Sequence, residues 1–224
     1  MEDRRLNDLS TWVTTHLENI TQITPLTGDA SFRRYVRITT QDNSFIVMDA
    51  PPTKESCRAF VGIAKDFRGI GVNTPDVIAQ DIERGFLLLT DFGDDLLNTA
   101  LTDDNANQFY QRCFDPLILI QQQQQLKHYP LVPYNNVIYT YYEESSWFLT
   151  WYLQQYRQLS LSPKDLATVE REIHFICAAM SRQPQTVIHR DYHSRNIMLT
   201  KEGDLGILDF QDAVIGPIAY DLVS

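Results

Sequence analysis

The chain has 224 residues, 43% of them hydrophobic, and a formal net charge of −10. That length suits one large domain or two lobes. No run approaches the length of a membrane-spanning helix, and so acidic a balance argues against nucleic-acid binding, which needs Lys and Arg to neutralise phosphates. Met1 to Ser10 is polar and charged, so no secretory leader is expected. Cys57, Cys113 and Cys177 are scattered, match no metal spacing, and read as buried reduced thiols of a cytoplasmic protein.

In chain order, Leu6, Leu9, Val13 and Leu17 recur at helical spacing and predict a helix from Leu6 to Ile20. Phe32 to Thr40 reads as a strand, Gln41-Asp42-Asn43 as its turn, and Ser44 to Asp49 as the returning strand, ended by Pro51-Pro52. A helix is expected from Lys54 to Phe67. Strands are expected at Val77 to Asp81 and Phe86 to Thr90, joined near Arg84-Gly85. These elements make a small, strand-rich lobe, residues 1–93.

After Gly93 the pattern turns helical, over Asn105 to Gln125 and Glu143 to Tyr156, with Gln121 to Gln125 as a solvated helix face. The clearest helix follows Ser162, a suitable N-cap, with Pro163 in the first turn and an apolar stripe of Leu166, Val169, Ile173, Ile176 and Met180. Residues 94–224 are therefore expected to form a mainly helical catalytic lobe, and the whole an α+β fold.

The chemistry lies between His189 and Asp209. His189-Arg190-Asp191-Tyr192-His193-Ser194-Arg195-Asn196 is a polar loop between apolar strands, followed by a Lys201 to Asp204 turn and the short strand Leu205 to Phe210. Phosphoryl transfer needs one carboxylate to orient the attacking hydroxyl and take its proton, and hard oxygen donors to hold Mg²⁺ against ATP phosphates. Asp191 suits the first role, Asn196 and Asp209 the second. The spacing H-x-D-x-x-x-x-N followed by Asp-Phe matches a kinase catalytic loop and metal-binding aspartate. Asp91-Phe92-Gly93 spells D-F-G but precedes the catalytic loop, so it reads as the hinge near the adenine, and Asp209-Phe210-Gln211 is the metal-binding triplet. His189 and His193 have no third soft ligand; His189 is expected to orient the loop.

At these residues the chain resembles the aminoglycoside phosphotransferase and choline kinase superfamily, a two-lobed, protein-kinase-like fold. The narrower likeness is to the bacterial anomeric kinases of N-acetylmuramate and N-acetylglucosamine in cell-wall recycling. It is carried by Gly28 to Tyr35, Ile46 to Pro52, and Asp209 to Ala213 with Gly216-Pro217 and Tyr220-Asp221-Leu222. The resemblance implies ATP and Mg²⁺ as cofactors and a small amino sugar as substrate. It also implies a phosphate-covering loop from Thr27 to Phe32, with Gly28, Asp29, Ala30, Ser31, Phe32 and Arg33 as nucleotide contacts alongside Asp91. Glu144 and Trp151 become candidate substrate contacts beside Asp191. No lysine stands in Ile46-Val47-Met48 where kinases carry their phosphate-binding strand Lys; Arg33, Arg34 and Lys54 are the candidate substitutes. Such kinases usually continue in a further helical segment, so a truncation at Ser224 is expected. An aminoglycoside- or choline-type kinase and an inactive nucleotide-binding module are the competing functions, the latter disfavoured by the complete Asp191, Asn196 and Asp209 set.

Overall fold

The computed structural model describes residues 4–26, 32–54, 56–134 and 146–224. Its centre is a five-stranded antiparallel sheet built from β1 (Ile20–Leu26), β2 (Arg34–Thr40), β3 (Ser44–Asp49), β4 (Val77–Asp81) and β5 (Phe86–Thr90), in the order β1-β2-β3-β5-β4. Side chains alternate between the faces of a strand, and each face has its own helix. Helix α1 (Arg4–Thr14) lays Leu9, Trp12 and Val13 on Val36, Ile38, Val47, Phe86 and Leu88. Helix α2 (Cys57–Gly69) lays Phe60, Ile63, Ala64 and Phe67 on Met48, Leu87 and Leu89. The Ser56 hydroxyl caps α2 by accepting from the Arg58 N–H at 3.2 Å.

Beyond the sheet lie α3 (Leu97–Ala100), α4 (Ala106–Gln121), a π-helix (Phe148–Tyr156) and α5 (Pro163–Ser181). Two hairpin-like pairs follow: β6 (Gln185–Ile188) with β9 (Val214–Pro217), and β7 (Ile197–Leu199) with β8 (Leu205–Ile207). The α2 face of the sheet shares one apolar core with Leu97, Leu117, Ile120, Val187, Ile197, Ile207 and Phe210. Phe210 sits 4.8 Å from the Phe60 ring and 5.9 Å from Phe67, which locks the end of β8 to α2. Asp66 of α2 accepts from the backbone N–H of His128 at 2.7 Å and pairs with its Nδ1 at 2.6 Å, a second tie between the parts.

Several elements differ from the sequence expectation. The helix expected from Asn105 to Gln125 ends at Gln121, so Gln122 to Gln125 lie past its end and form no helix face. The first helix ends at Thr14 rather than Ile20; Asn19 takes a left-handed φ of 54°, and the chain enters β1. An edge strand buries little, and Ile23 is 49% exposed, so β1 leaves no strong alternating signal; Pro25 is tolerated there because an edge has spare N–H positions. The expected helix at Glu143 to Tyr156 is a π-helix over Phe148–Tyr156, and residues 143–145 lie outside the described residues. In α5 the capping box of Ser162 and Asp165 is present, but Cys177 is buried where the stripe reading placed Ile176, which is 55% exposed. Strand β9 was not anticipated. Among the described residues no helix is long and apolar enough to cross a membrane.

Candidate active site

Strand β6 delivers the chain into the loop from His189 to Asn196, and buried groups fix its shape. Asp221, itself buried, accepts the His189 N–H at 2.7 Å on one carboxylate oxygen and the Arg190 N–H at 2.9 Å on the other. Arg190 holds a φ of 80°, a conformation costly for a side chain with a Cβ, so two consecutive amides gripped by one carboxylate keep the turn in place. Tyr192 donates its hydroxyl to the Cys113 carbonyl of α4 at 2.6 Å. His189 is wholly buried, and burial pushes its pKa down to about 4, so it is neutral at pH 7. Its Nδ1 accepts from the Asp191 N–H at 3.3 Å, the orienting contact expected of it. Burial also pushes the Asp221 carboxyl up to about 6, against the two amide hydrogen bonds that pull it down.

Asp191, Asn196 and Asp209 meet at the mouth of this loop. The Asn196 side-chain amide donates to the Asp191 carbonyl at 3.0 Å and lies 3.4 Å from the Asp209 carboxylate. The Leu208 N–H donates to the Asn196 carbonyl at 2.9 Å, which joins β8 to the loop. Asp209 follows β8 with a left-handed φ of 60° and stands exposed. The Asp191 carboxyl is raised above the ordinary carboxylate range, first by burial and then by the charge of Asp209, with Arg190 and His193 opposing. Gln211 is buried, and its amide donates to Asp209 at 2.7 Å and reaches Asp212 at 3.4 Å.

Asp209, Gln211 and Asp212 open onto a cleft of about 490 Å³ lined also by Arg33, Ser56, Ala59 and Tyr129. One wall is the start of β2 with the N-terminus of α2; the other is the turn after β8. Of the expected nucleotide contacts, Gly28, Asp29, Ala30 and Ser31 lie outside the described residues, as does Glu144. Phe32 is 60% exposed, with the Lys54 ammonium 5.1 Å from its ring centre. Asp91 does follow β5, but its carboxylate is engaged: Arg37 pairs with it at 2.7 Å and the Gly93 N–H donates to it at 2.9 Å. Phe92 packs so closely on β8 that a Cβ on Gly206 would lie 2.5 Å from its ring. Trp151 is 61% exposed on the π-helix and forms no part of the cleft wall.

Sequence reasoning put Gln211 in the metal-binding triplet without a role of its own and gave no role to Asp212, Tyr129 or Asp221. The signal for Asp221 was its place in Tyr220-Asp221-Leu222, one of the segments that carry the family likeness. Gln211 stood next to the metal-binding candidate, but only the fold reveals that its amide faces two carboxylates.

A model of the Phosphotransferase enzyme family matches residues 22–224. The N-acetylmuramate/N-acetylglucosamine kinase of Pseudomonas aeruginosa is 36% identical, over 99% of this chain and 67% of its own length. The kinase of the same name from Pseudomonas putida is 35% identical, over 98% and 67%. That from Neisseria meningitidis serogroup B is 34% identical, over 96% and 64%. The chain thus spans about two thirds of the length of these relatives. Among solved structures, the ADP-bound aminoglycoside phosphotransferase APH(2'')-Ib superposes with a TM-score of 0.63 at 12% identity, over 100% of this chain and 75% of that one. Choline kinase LicA of Streptococcus pneumoniae gives 0.62 at 12%, over 98% and 73%. These two establish the kinase-like fold, and the family match with its curated relatives establishes kinship: the chain belongs to the phosphotransferase enzyme family.

Proposed function

We propose that this phosphotransferase moves the terminal phosphoryl group of ATP to the anomeric hydroxyl of N-acetylmuramate or N-acetylglucosamine, within the recycling of cell-wall sugars. The observation that carries the reaction type is the meeting of Asp191, Asn196 and Asp209, with Asp209 lining the cleft. The choice of sugar rests on the relatives at 34% to 36% identity named as kinases of those two sugars. Residues 1–93 serve as the nucleotide-binding lobe with its hinge, and residues 94–224 as the catalytic lobe. ATP and the sugar meet between them. Cys57, Cys113 and Cys177 are buried and form no disulfide with one another, which suits a reducing cytoplasm.

In this reading Asp191 accepts the proton of the attacking hydroxyl, the sugar oxygen bonds to phosphorus, and ADP leaves. The transition state asks for positioning and electrostatics more than covalent help. The anomeric hydroxyl is the most acidic on a sugar, which lightens the work of a carboxylate base. Asn196 and Asp209 suit Mg²⁺ by donor type, an amide oxygen and an exposed carboxylate being hard donors, on side chains that already lie within 3.4 Å of each other. Two protein ligands are what a Mg²⁺ ion needs when phosphates and water complete its shell. When bound, Mg²⁺ neutralises charge building on the transferring phosphoryl group.

Gln211 steadies the Asp209 carboxylate in this scheme. Gln211→Met keeps the bulk and removes the donor, and it is expected to weaken Mg²⁺-ADP binding by about tenfold, the scale of one hydrogen bond to a charged group. Titration of ADP with and without Mg²⁺ checks this; an equal change in both would assign Gln211 a purely structural role.

An aminoglycoside- or choline-type kinase is the second reading, favoured by the net charge of −10, which suits cationic acceptors. ADP release measured with ATP and Mg²⁺ across N-acetylmuramate, N-acetylglucosamine, choline and an aminoglycoside panel separates the two. The amino sugars are expected to give the highest kcat/KM. A preference for the cationic acceptors would replace the first reading by the second.

A further inference from the structure

Kinases of this general design use a strand lysine to hold the nucleotide phosphates, and this chain offers none. Strand alternation shows what stands there instead. On β3, Val47 faces α1, while Ile46 and Met48 face α2 and the shared core, so the face turned toward the cleft is apolar. Asp49 continues the alternation toward α1, where Arg34 pairs with it at 2.6 Å and Arg5 at 2.5 Å. Arg34, with Val36 and Ile38 after it, thus belongs to the α1 side. The alternate residues Arg33, Tyr35 and Arg37 belong to the other side, and Tyr35 packs against the shared core.

Arg37 is committed to the hinge, where it binds Asp91, Asp94 and the Gly93 carbonyl. Lys54 stands over the Phe32 ring and does not line the cleft. Arg33, half-buried, lines the cleft opposite Asp209 and Asp212, and it is the one basic side chain in that wall among the described residues. A polyphosphate entering beside two carboxylates needs a fixed positive charge, and a guanidinium supplies planar, multiple donors matched to phosphate oxygens.

We infer that Arg33 holds the nucleotide phosphates in place of the missing strand lysine. The inference rests on the reading of the cleft as an ATP site and adds which side chain binds the polyphosphate. Arg34, its neighbour, lies on the α1 side and pairs with Asp49, buried at the end of β3.

The test is calorimetric titration of ADP and of adenosine into the wild type, Arg33→Ala, Arg33→Lys and Lys54→Ala, each with a thermal melt. Arg33→Ala is expected to weaken ADP by roughly 10- to 100-fold and to leave adenosine unchanged, since only ADP carries the groups Arg33 meets. Arg33→Lys is expected to recover part of the loss, and Lys54→Ala to bind both ligands as the wild type does. Wild-type ADP affinity in Arg33→Ala, or an equal loss of ADP and adenosine, overturns the assignment. A wild type that binds neither ligand overturns the ATP-site reading itself, and the assignment with it.

Discussion

Asp191→Asn is expected to lower kcat by roughly 10²- to 10⁴-fold, the range of a lost general base, with ADP affinity nearly unchanged. The substitution is isosteric. The backbone groups of residue 191 that hold the loop, its N–H to His189 and its carbonyl to Asn196, remain in place. On the proposed reading, what is lost is a carboxylate that acts on the acceptor hydroxyl and not on the nucleotide. Asp209→Asn should behave in the opposite way and weaken Mg²⁺-ADP binding, because the same reading makes it a metal ligand. Steady-state kinetics paired with ADP calorimetry separates the roles; equal loss of nucleotide affinity in both variants would contradict the division.

Asp221→Asn is expected to cost about 10² in kcat, the penalty of displacing a catalytic group by about an ångström. Asp221 is buried, and it grips the two amides that set the turn before Asp191. An asparagine at that position offers one acceptor for two buried N–H groups and turns a donor toward the other. Nucleotide affinity should change little, which distinguishes this loss from unfolding. The same carboxylate gives a pH signature. Its pKa is raised to about 6 by burial, so lowering the pH through about 6 converts one of the two acceptor oxygens to a hydroxyl. Turnover is therefore expected to fall as pH drops through that value. The raised pKa means the folded state binds this proton more tightly than the unfolded chain does, so this group's contribution to stability improves over the same window. Activity and stability should move in opposite directions between pH 6 and 4, as far as Asp221 governs them. A kcat profile flat through pH 6 would remove Asp221 from that role.

The sequence made β3, β4 and β5 legible because they are flanked by turn chemistry and carry apolar residues; all three span the expected residues. It concealed β1, whose edge position requires almost no burial. It concealed the π-helix as well, since aromatic residues at close helical spacing fit an α-helix equally well. The loop that brings Asp191, Asn196 and Asp209 together was legible from their order along a strand, loop and strand. The groups that hold them were not. Asp221 lies 32 residues beyond His189 and Asp66 lies 62 before His128, and such pairings arise only when the chain folds. The question of the phosphate-binding cation was likewise closed to spacing alone: Arg33 and Arg34 are chemically identical neighbours, and only strand alternation separates them.

The most direct measurement of the central claim is the fate of the reducing end. N-acetylmuramate or N-acetylglucosamine is incubated with the protein, ATP and Mg²⁺, and the phosphorylated product is tested for reduction of copper. Transfer to the anomeric oxygen predicts a product that no longer reduces copper, with one ADP formed per sugar consumed. A phosphorylated product that still reduces copper, or amino sugars left unphosphorylated while ATP is bound, would contradict it.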